Sequence, residues 1–324
     1  MTQMQRQLAL LTGSIGVAVV VYFGITTWGG IPDLASLISR FSRPTLMAML
    51  VFSLLGYTNR FLAWHRNLSN LGVRVPLLLN LQAYFAGYLF LPTPARAGTS
   101  IVIFYLRKYA PYGLSFMAFF LERLQDFIAT LILSMWLLTG HQFWLFLSAI
   151  AAFLSLLWLL TQNPSQYAQF LEARQVQKFF LLNFPLRLGA SVFKKLDGLL
   201  QNKPQTFRLP TFLGSQVLIL LAHSCHGIVF YLALRDLDLD LSLLQVISIY
   251  GSGVFLGSLS FLPVGLGGVE AILIIFLSLQ NVSRVDAVAA TIISRLLTTW
   301  FIVGVGAIAT MSLFVSGKYR RKSN

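Results

Sequence analysis

The chain has 324 residues, of which 56% are hydrophobic and only 10% charged, and its formal net charge is +14. Soluble domains carry about a quarter charged residues, so this composition excludes a water-soluble globular protein and predicts an all-α polytopic membrane protein. The positive charge is typical of basic loops that contact anionic lipid head groups, and we expect no nucleic-acid partner. The single cysteine, Cys225, excludes a disulfide framework.

Apolar regions follow one another along the chain. Six are long enough to cross a bilayer: 8–28, 44–63, 114–138, 142–160, 211–234 and 285–314. The first ends without a convincing signal-peptide cleavage site, so we predict an uncleaved first span. Two further regions, 76–106 and 243–280, are interrupted near their middles. Because each half is too short to span alone, we predict two re-entrant broken helices.

Prolines and glycines interrupt these two regions. Proline removes a helical hydrogen bond, and glycine permits turns and close backbone approach. The residues are Pro92, Pro94 and Gly98 in the first break, and Pro263, Gly265, Gly267 and Gly268 in the second.

Loop charges predict the orientation. If each broken region enters and leaves on one side, both termini and the basic segments 59–75, 107–113 and 161–208 lie in the cytoplasm. The acidic RDLDLD at 235–240 then lies outside. Loop 161–208 is predicted to carry an amphipathic helix on the inner leaflet or to act as a simple basic tether. We expect a multi-pass protein of the bacterial inner membrane.

The two broken regions predict an internal repeat. Arg123-Leu124 follows Pro92 by 31 residues, and Arg295-Leu296 follows Pro263 by 32. The predicted organisation is a first span at 8–28, repeats at 44–138 and 211–314, an extra span at 142–160, and a basic tail at 315–324. Three predicted crossings separate the breaks, so the repeats face opposite sides, as in transporters built from inverted repeats. The alternative is coincidence in a leucine-rich chain.

Six charged residues lie within apolar stretches, where each costs at least about 3 kcal/mol on insertion scales. They are Arg96, Glu122, Arg123, Asp126, Glu270 and Arg295. Glu122 and Asp126 share one helix face, and we expect Arg96 to pair with that face. Glu270 is expected to pair with Arg295.

Two interpretations of these charges stay open. They could form ion pairs that only clamp each hairpin to its span. Alternatively, the arginines and the exposed backbone N–H groups of the broken helices could bind a phosphate. In that case the carboxylates could hold the arginines, recognise an amine or carry a coupling proton.

Other signals are weaker. His223 and His226 have a spacing that a metal could use, but a polar packing face is the expectation, and we predict no metal and no cofactor. The chain has no Walker-type loop, HExxH or GxSxG motif, so neither an ATPase nor a hydrolase is indicated.

Four stretches carry a resemblance to a known family. LPTPARAGTSIVIFYLRK, FFLERLQDFIAT, SFLPVGLGGVEAILIIF and ISRLLTTW, in this order over 76–314, resemble the lysylphosphatidylglycerol synthase transmembrane-region family. The resemblance implies a flippase-like translocase that moves an anionic or aminoacylated phospholipid, or a lipid-linked molecule, between leaflets. It also implies that the six charged residues form the substrate site. Thr99 departs from the family pattern, in which an acid is common at that position.

The resemblance also separates activities. The chain ends at Asn324, shortly after its last predicted span, so we expect no aminoacyl-transferase domain and no enzymatic activity. The alternatives are a membrane-embedded lipid-modifying transferase and a structural or assembly protein. The sequence leaves a homo-oligomer open.

Overall fold

The computed structural model describes residues 34–93, 97–135, 209–258 and 267–315, together with single positions between 24 and 30 and residue 169. All regular structure in these ranges is helical, and none of it is strand. Predictions outside them concern most of the first span, the span at 142–160, nearly all of loop 161–208 and the tail. The same is true of Pro94, Arg96, Pro263 and Gly265.

Ten α-helices are numbered here in chain order within the described ranges. They are α1 Leu34–Ser39, α2 Arg43–Asn70, α3 Leu77–Gly87, α4 Ile101–Leu106, α5 Tyr112–Ser134, α6 Leu209–Asp236, α7 Leu243–Ser258, α8 Gly268–Leu279, α9 Arg284–Arg295 and α10 Phe301–Val315. A π-helical segment, Leu296–Trp300, joins α9 to α10. Short 3₁₀ turns, Tyr88–Phe90 and Ala97–Ser100, flank the first break.

Three of these stretches are long and apolar enough to cross a membrane, namely Arg43–Asn70, Pro210–Asp236 and Arg284–Leu313. They match the predicted spans at 44–63, 211–234 and 285–314. Helix α5 has 23 residues, but it carries three charged side chains, Glu122, Arg123 and Asp126. The predicted fold class, an all-α membrane protein, is confirmed.

Helix α2 is longer than predicted. The side chain of Ser42 caps its first turn by accepting a hydrogen bond from the Thr45 N–H at 3.3 Å. The helix continues past residue 63 because Trp64 is fully buried and donates to the Asn80 side chain at 2.9 Å. The prediction of a cytoplasmic loop beginning at residue 59 is therefore wrong, and Arg60 lies inside the helix.

In both predicted broken regions, the described helices on either side of the break are short. In the first, α3 has 11 residues and α4 only 6, while a crossing needs about 20. The backbone N–H of Gly98 donates to the Thr93 hydroxyl at 2.7 Å and ties the two sides of this break together. In the second, α7 has 16 residues and α8 has 12. Gly267, immediately before α8, has a φ of +80°, which glycine adopts without a steric penalty.

Helices α2 and α6, the first spans of the two repeats, run antiparallel. Thr45, at the start of α2, donates to Asp236 at the end of α6 at 2.8 Å. Farther along α2, Arg60 meets His223, which lies earlier in α6. Equivalent elements that run in opposite directions are what an inverted repeat requires.

The hairpins cross over between the repeats. Helix α3 packs on α10, where the Thr310 hydroxyl donates to the Ala86 carbonyl at 3.4 Å. Helix α7 packs on α5, where the Ser248 hydroxyl donates to the Leu133 carbonyl at 2.5 Å. The first arm of each hairpin therefore contacts the last span of the other repeat. This reciprocal packing has the symmetry of an inverted repeat.

The two larger of the three apolar clusters among the described residues form most of the core. One surrounds Trp64 and Met117 and includes Leu313 of α10, and the other surrounds Phe230 and Val288.

Candidate functional site

A small cavity lies where the two repeats meet. Its volume is about 30 Å³, which is room for about two water molecules. It is lined by Tyr57, Arg60, Tyr88, Leu91, Arg123, His223, His226, Tyr250, Val254, Arg295, Thr298 and Thr299. Three of these are arginines, two from the first repeat and one from the second.

Arg60 is a buried arginine held by partners from three elements. Its side chain is 4% exposed, and Nη2 lies 2.5 Å from the Asp126 carboxylate. Nε donates to the Tyr88 hydroxyl at 3.2 Å, and Nη1 lies 3.3 Å from Nε2 of His223. Partners from α5, from the turn after α3 and from α6 therefore converge on one guanidinium group.

The acidic face of α5 forms as predicted. Arg123 bridges it, with Nη2 3.1 Å from Glu122 and Nη1 3.1 Å from Asp126. The Tyr84 hydroxyl donates to Glu122 at 2.6 Å, and His223 Nε2 lies 3.1 Å from Asp126. Both carboxylates thus have several hydrogen-bond donors.

Arg60 contacts the acidic face on which Arg96 was predicted to lie. Arg96 was expected on the acidic face of α5 but lies outside the described residues, while Arg60 and Arg123 already contact that face. The sequence contains a signal for Arg60, because Tyr57, Phe61 and Trp64 follow helical spacing and predict a buried face around it. Its basic neighbours obscured that signal.

In the second repeat, the predicted pair of Glu270 and Arg295 is confirmed. Arg295 Nε donates to Glu270 Oε1 at 2.8 Å, and both side chains are at most 3% exposed. The second carboxylate oxygen accepts the backbone N–H of Gly267 at 2.9 Å. Glu270 therefore caps the first turn of α8 and also orients an arginine that lines the cavity.

The π-helical segment places threonines beside this pair. Thr298 and Thr299 lie within it and line the cavity next to Arg295. The Tyr57 hydroxyl of α2 donates to the Thr298 carbonyl at 3.5 Å. Single π-helical turns are common at functional sites because they displace side chains from regular helical positions.

The described site is electrically balanced. Arg60, Arg123 and Arg295 match three carboxylates, those of Glu122, Asp126 and Glu270. The Nε of Arg123 is buried with no hydrogen-bond partner in the described part of the chain. Within the same residues, no group of three or more His, Cys, Asp or Glu side chains could hold a metal ion. The chemistry available is guanidinium recognition of an anion, with nearby carboxylates to balance it.

Comparisons with known proteins agree with this architecture. Part of the chain is 36% identical, over 94 residues, to a UPF0104 membrane protein of Methanothermobacter thermautotrophicus (strain Delta H). The aligned segment is 28% of this chain and 28% of that protein. A family model described as the lysylphosphatidylglycerol synthase TM region matches residues 12–306. The chain therefore belongs to the lysylphosphatidylglycerol synthase transmembrane-region family.

Proposed function

We propose that this protein is a lipid translocase. Its substrate would be a phospholipid or a lipid-linked molecule with an anionic or aminoacylated head group, moved from one leaflet to the other. The observation that carries the proposal is the meeting of Arg60, Arg123 and Arg295, from both repeats, at one cavity inside an apolar protein. Buried arginines are costly in a membrane and mark substrate pathways.

The ion pairs provide a route for exchanging an anion. A phosphate can form two parallel hydrogen bonds with a guanidinium group, as a carboxylate does. The phosphate of a head group would replace Glu122 and Asp126 as the partner of Arg123. It would likewise replace Glu270 as the partner of Arg295. An amine on the same head group would then pair with a released carboxylate. The site would thus keep its charges matched during transport.

The cavity must enlarge to accept a head group. At about 30 Å³ it holds little more than water, so this conformation corresponds to an occluded form. The crossed hairpins would supply a mechanism if the packed pairs α3 with α10 and α7 with α5 moved as units. Rocking of such units about a central site is the usual route to alternating access.

The proposal includes location and partners. Family membership and apolar helices indicate a membrane protein. We place it in a bacterial inner membrane with cytoplasmic termini, where its basic loops contact anionic lipid. Membrane phospholipid is the proposed partner, and no covalent step on the lipid is proposed.

Transport in liposomes tests the proposal. The full chain is reconstituted with a fluorescent anionic phospholipid, and the rate of leaflet exchange is measured by dithionite quenching. Arg123→Gln should reduce the rate by about tenfold or more, because hydrogen bonds to charged groups contribute roughly 1.5–3 kcal/mol. Arg107→Gln is the matched control, since Arg107 is exposed and contacts the Phe104 ring at 4.0 Å.

Two results would overturn the proposal. One is exchange with the wild-type protein no faster than in protein-free liposomes. The other is equal exchange by wild type and Arg123→Gln at equal insertion. Mass spectrometry of the recovered lipid separates the transferase alternative, because only an enzyme would produce a new lipid species.

A further inference from the structure

A second cavity lies beside helix α8. Its volume is about 410 Å³, within the range of small-molecule sites. Its described lining residues are apolar or glycine: Ile25, Trp28, Gly267, Ala271, Ile274 and Ile275. Among these described residues, the apolar groove has no charged side chain to anchor a head group.

The groove opens toward the surroundings of the protein. Ile275 is 56% exposed and Trp28 is 55% exposed. The Arg284 guanidinium lies 5.1 Å from the centre of the Trp28 ring, a cation–π contact that holds one wall of the groove against the start of α9. In a membrane protein, an open apolar face of this kind is suited to contact with lipid.

Only a few residues separate the groove from the polar cavity. Gly267 lines the groove, and its N–H is bonded to Glu270 at 2.9 Å. Glu270 in turn accepts from Arg295 at 2.8 Å, and Arg295 lines the polar cavity. Two successive hydrogen bonds thus connect an apolar site to a guanidinium group.

We propose that the apolar groove binds an acyl chain of the lipid whose head group contacts Arg295. The inference rests on the proposed translocase function and adds a tail site to it. The first turn of α8 joins the polar cavity to the apolar groove. A phospholipid has the same two parts, a charged head group and an apolar tail. Gly267, whose N–H is bonded to Glu270, and Ala271 place no bulky side chain on the groove wall.

Photo-crosslinking tests the groove directly. The full chain is reconstituted with a phospholipid that carries a diazirine in one acyl chain, and adducts are located by mass spectrometry. We expect adducts on peptides containing Ala271–Ile275 and Ile25–Trp28. Ala271→Trp should abolish them by filling the groove. Ile308→Trp is the control, because Ile308 is 70% exposed on α10, outside the groove.

Transport measurements test whether the bound chain belongs to the moving lipid. Ala271→Trp should slow exchange of a two-chain phospholipid by about tenfold, which corresponds to lost burial of roughly two methylenes. Ile308→Trp should leave the rate unchanged. If the wild type forms crosslinks in the groove but Ala271→Trp leaves the exchange rate unchanged, the crosslinked chain belongs to bulk lipid. That result would overturn the inference.

The two proposals can fail separately. Absence of groove adducts, with normal wild-type transport, would refute the tail site and leave the translocase proposal standing. Groove adducts in a protein that moves no lipid would refute the translocase proposal. The groove would then be a lipid-binding site that is not part of a transport pathway.

Discussion

Replacing Arg60 with methionine tests the buried ion-pair network most directly. The change keeps an unbranched side chain but removes the charge. Arg60 Nη2 then no longer meets Asp126, whose side chain is 12% exposed, and the contacts with Tyr88 and His223 are lost. Arg123 alone remains to balance Glu122 and Asp126, so one carboxylate charge becomes uncompensated.

The expected loss follows from that geometry. Two unit charges about 4 Å apart interact by roughly 4 kcal/mol at an effective dielectric constant of about 20. Removal of one partner from a buried pair typically costs about 3–5 kcal/mol. We therefore expect Arg60→Met to lower the thermal midpoint in detergent by about 5–10 °C.

Two further variants make the measurement decisive. Arg66→Met on the same helix is the control, since Arg66 is exposed, and we expect its midpoint to stay near that of the wild type. Arg60→Met combined with Asp126→Asn should lose less stability than the sum of the single changes, because the double variant restores charge balance. Equal midpoints for Arg60→Met and Arg66→Met would refute the reasoning.

Three other predictions concern packing, hydrogen bonding and topology. Gly306→Ala should reduce the yield of folded protein, because a Cβ there would strike the backbone of the first hairpin, whereas Gly304→Ala, with nothing within 4 Å, should not. Size-exclusion chromatography measures this, and equal yields would contradict the crossed packing. Tyr84→Phe should cost about 1.5–3 kcal/mol, since it removes the 2.6 Å bond to Glu122; an unchanged midpoint would show that this bond contributes nothing. Asp238→Cys, in a chain whose native cysteine is replaced by serine, should react with an impermeant maleimide only from outside, and labelling only from the cytoplasm would overturn the proposed orientation.

Much of the architecture follows from local chemistry. Proline and glycine in the apolar regions predicted both breaks. Proline interrupts a helix and glycine permits unusual backbone angles, and neither effect depends on which residues pack nearby. The pairing of Glu270 with Arg295 was also accessible, because a charge at membrane depth requires a partner and few candidates were near in the repeat. Glu122 and Asp126 were placed on one face by helical spacing alone.

The sequence led to a wrong prediction of where α2 ends. A run of basic residues normally marks the end of a span, so Arg60 was assigned to a loop. Its burial depends on Asp126 from α5 and His223 from α6, which lie far away in the chain. Nothing within α2 itself specifies those partners.

The amino-acid sequence by itself determined that this is a helical membrane protein with two interrupted regions and buried charges, because composition and backbone chemistry act locally. Only the tertiary structure decided that Arg60, Arg123 and Arg295 face one cavity. That convergence requires the antiparallel contact of α2 with α6 and the crossing of each hairpin onto the other repeat. Such packing is set by complementary surfaces of distant segments, which no local pattern encodes.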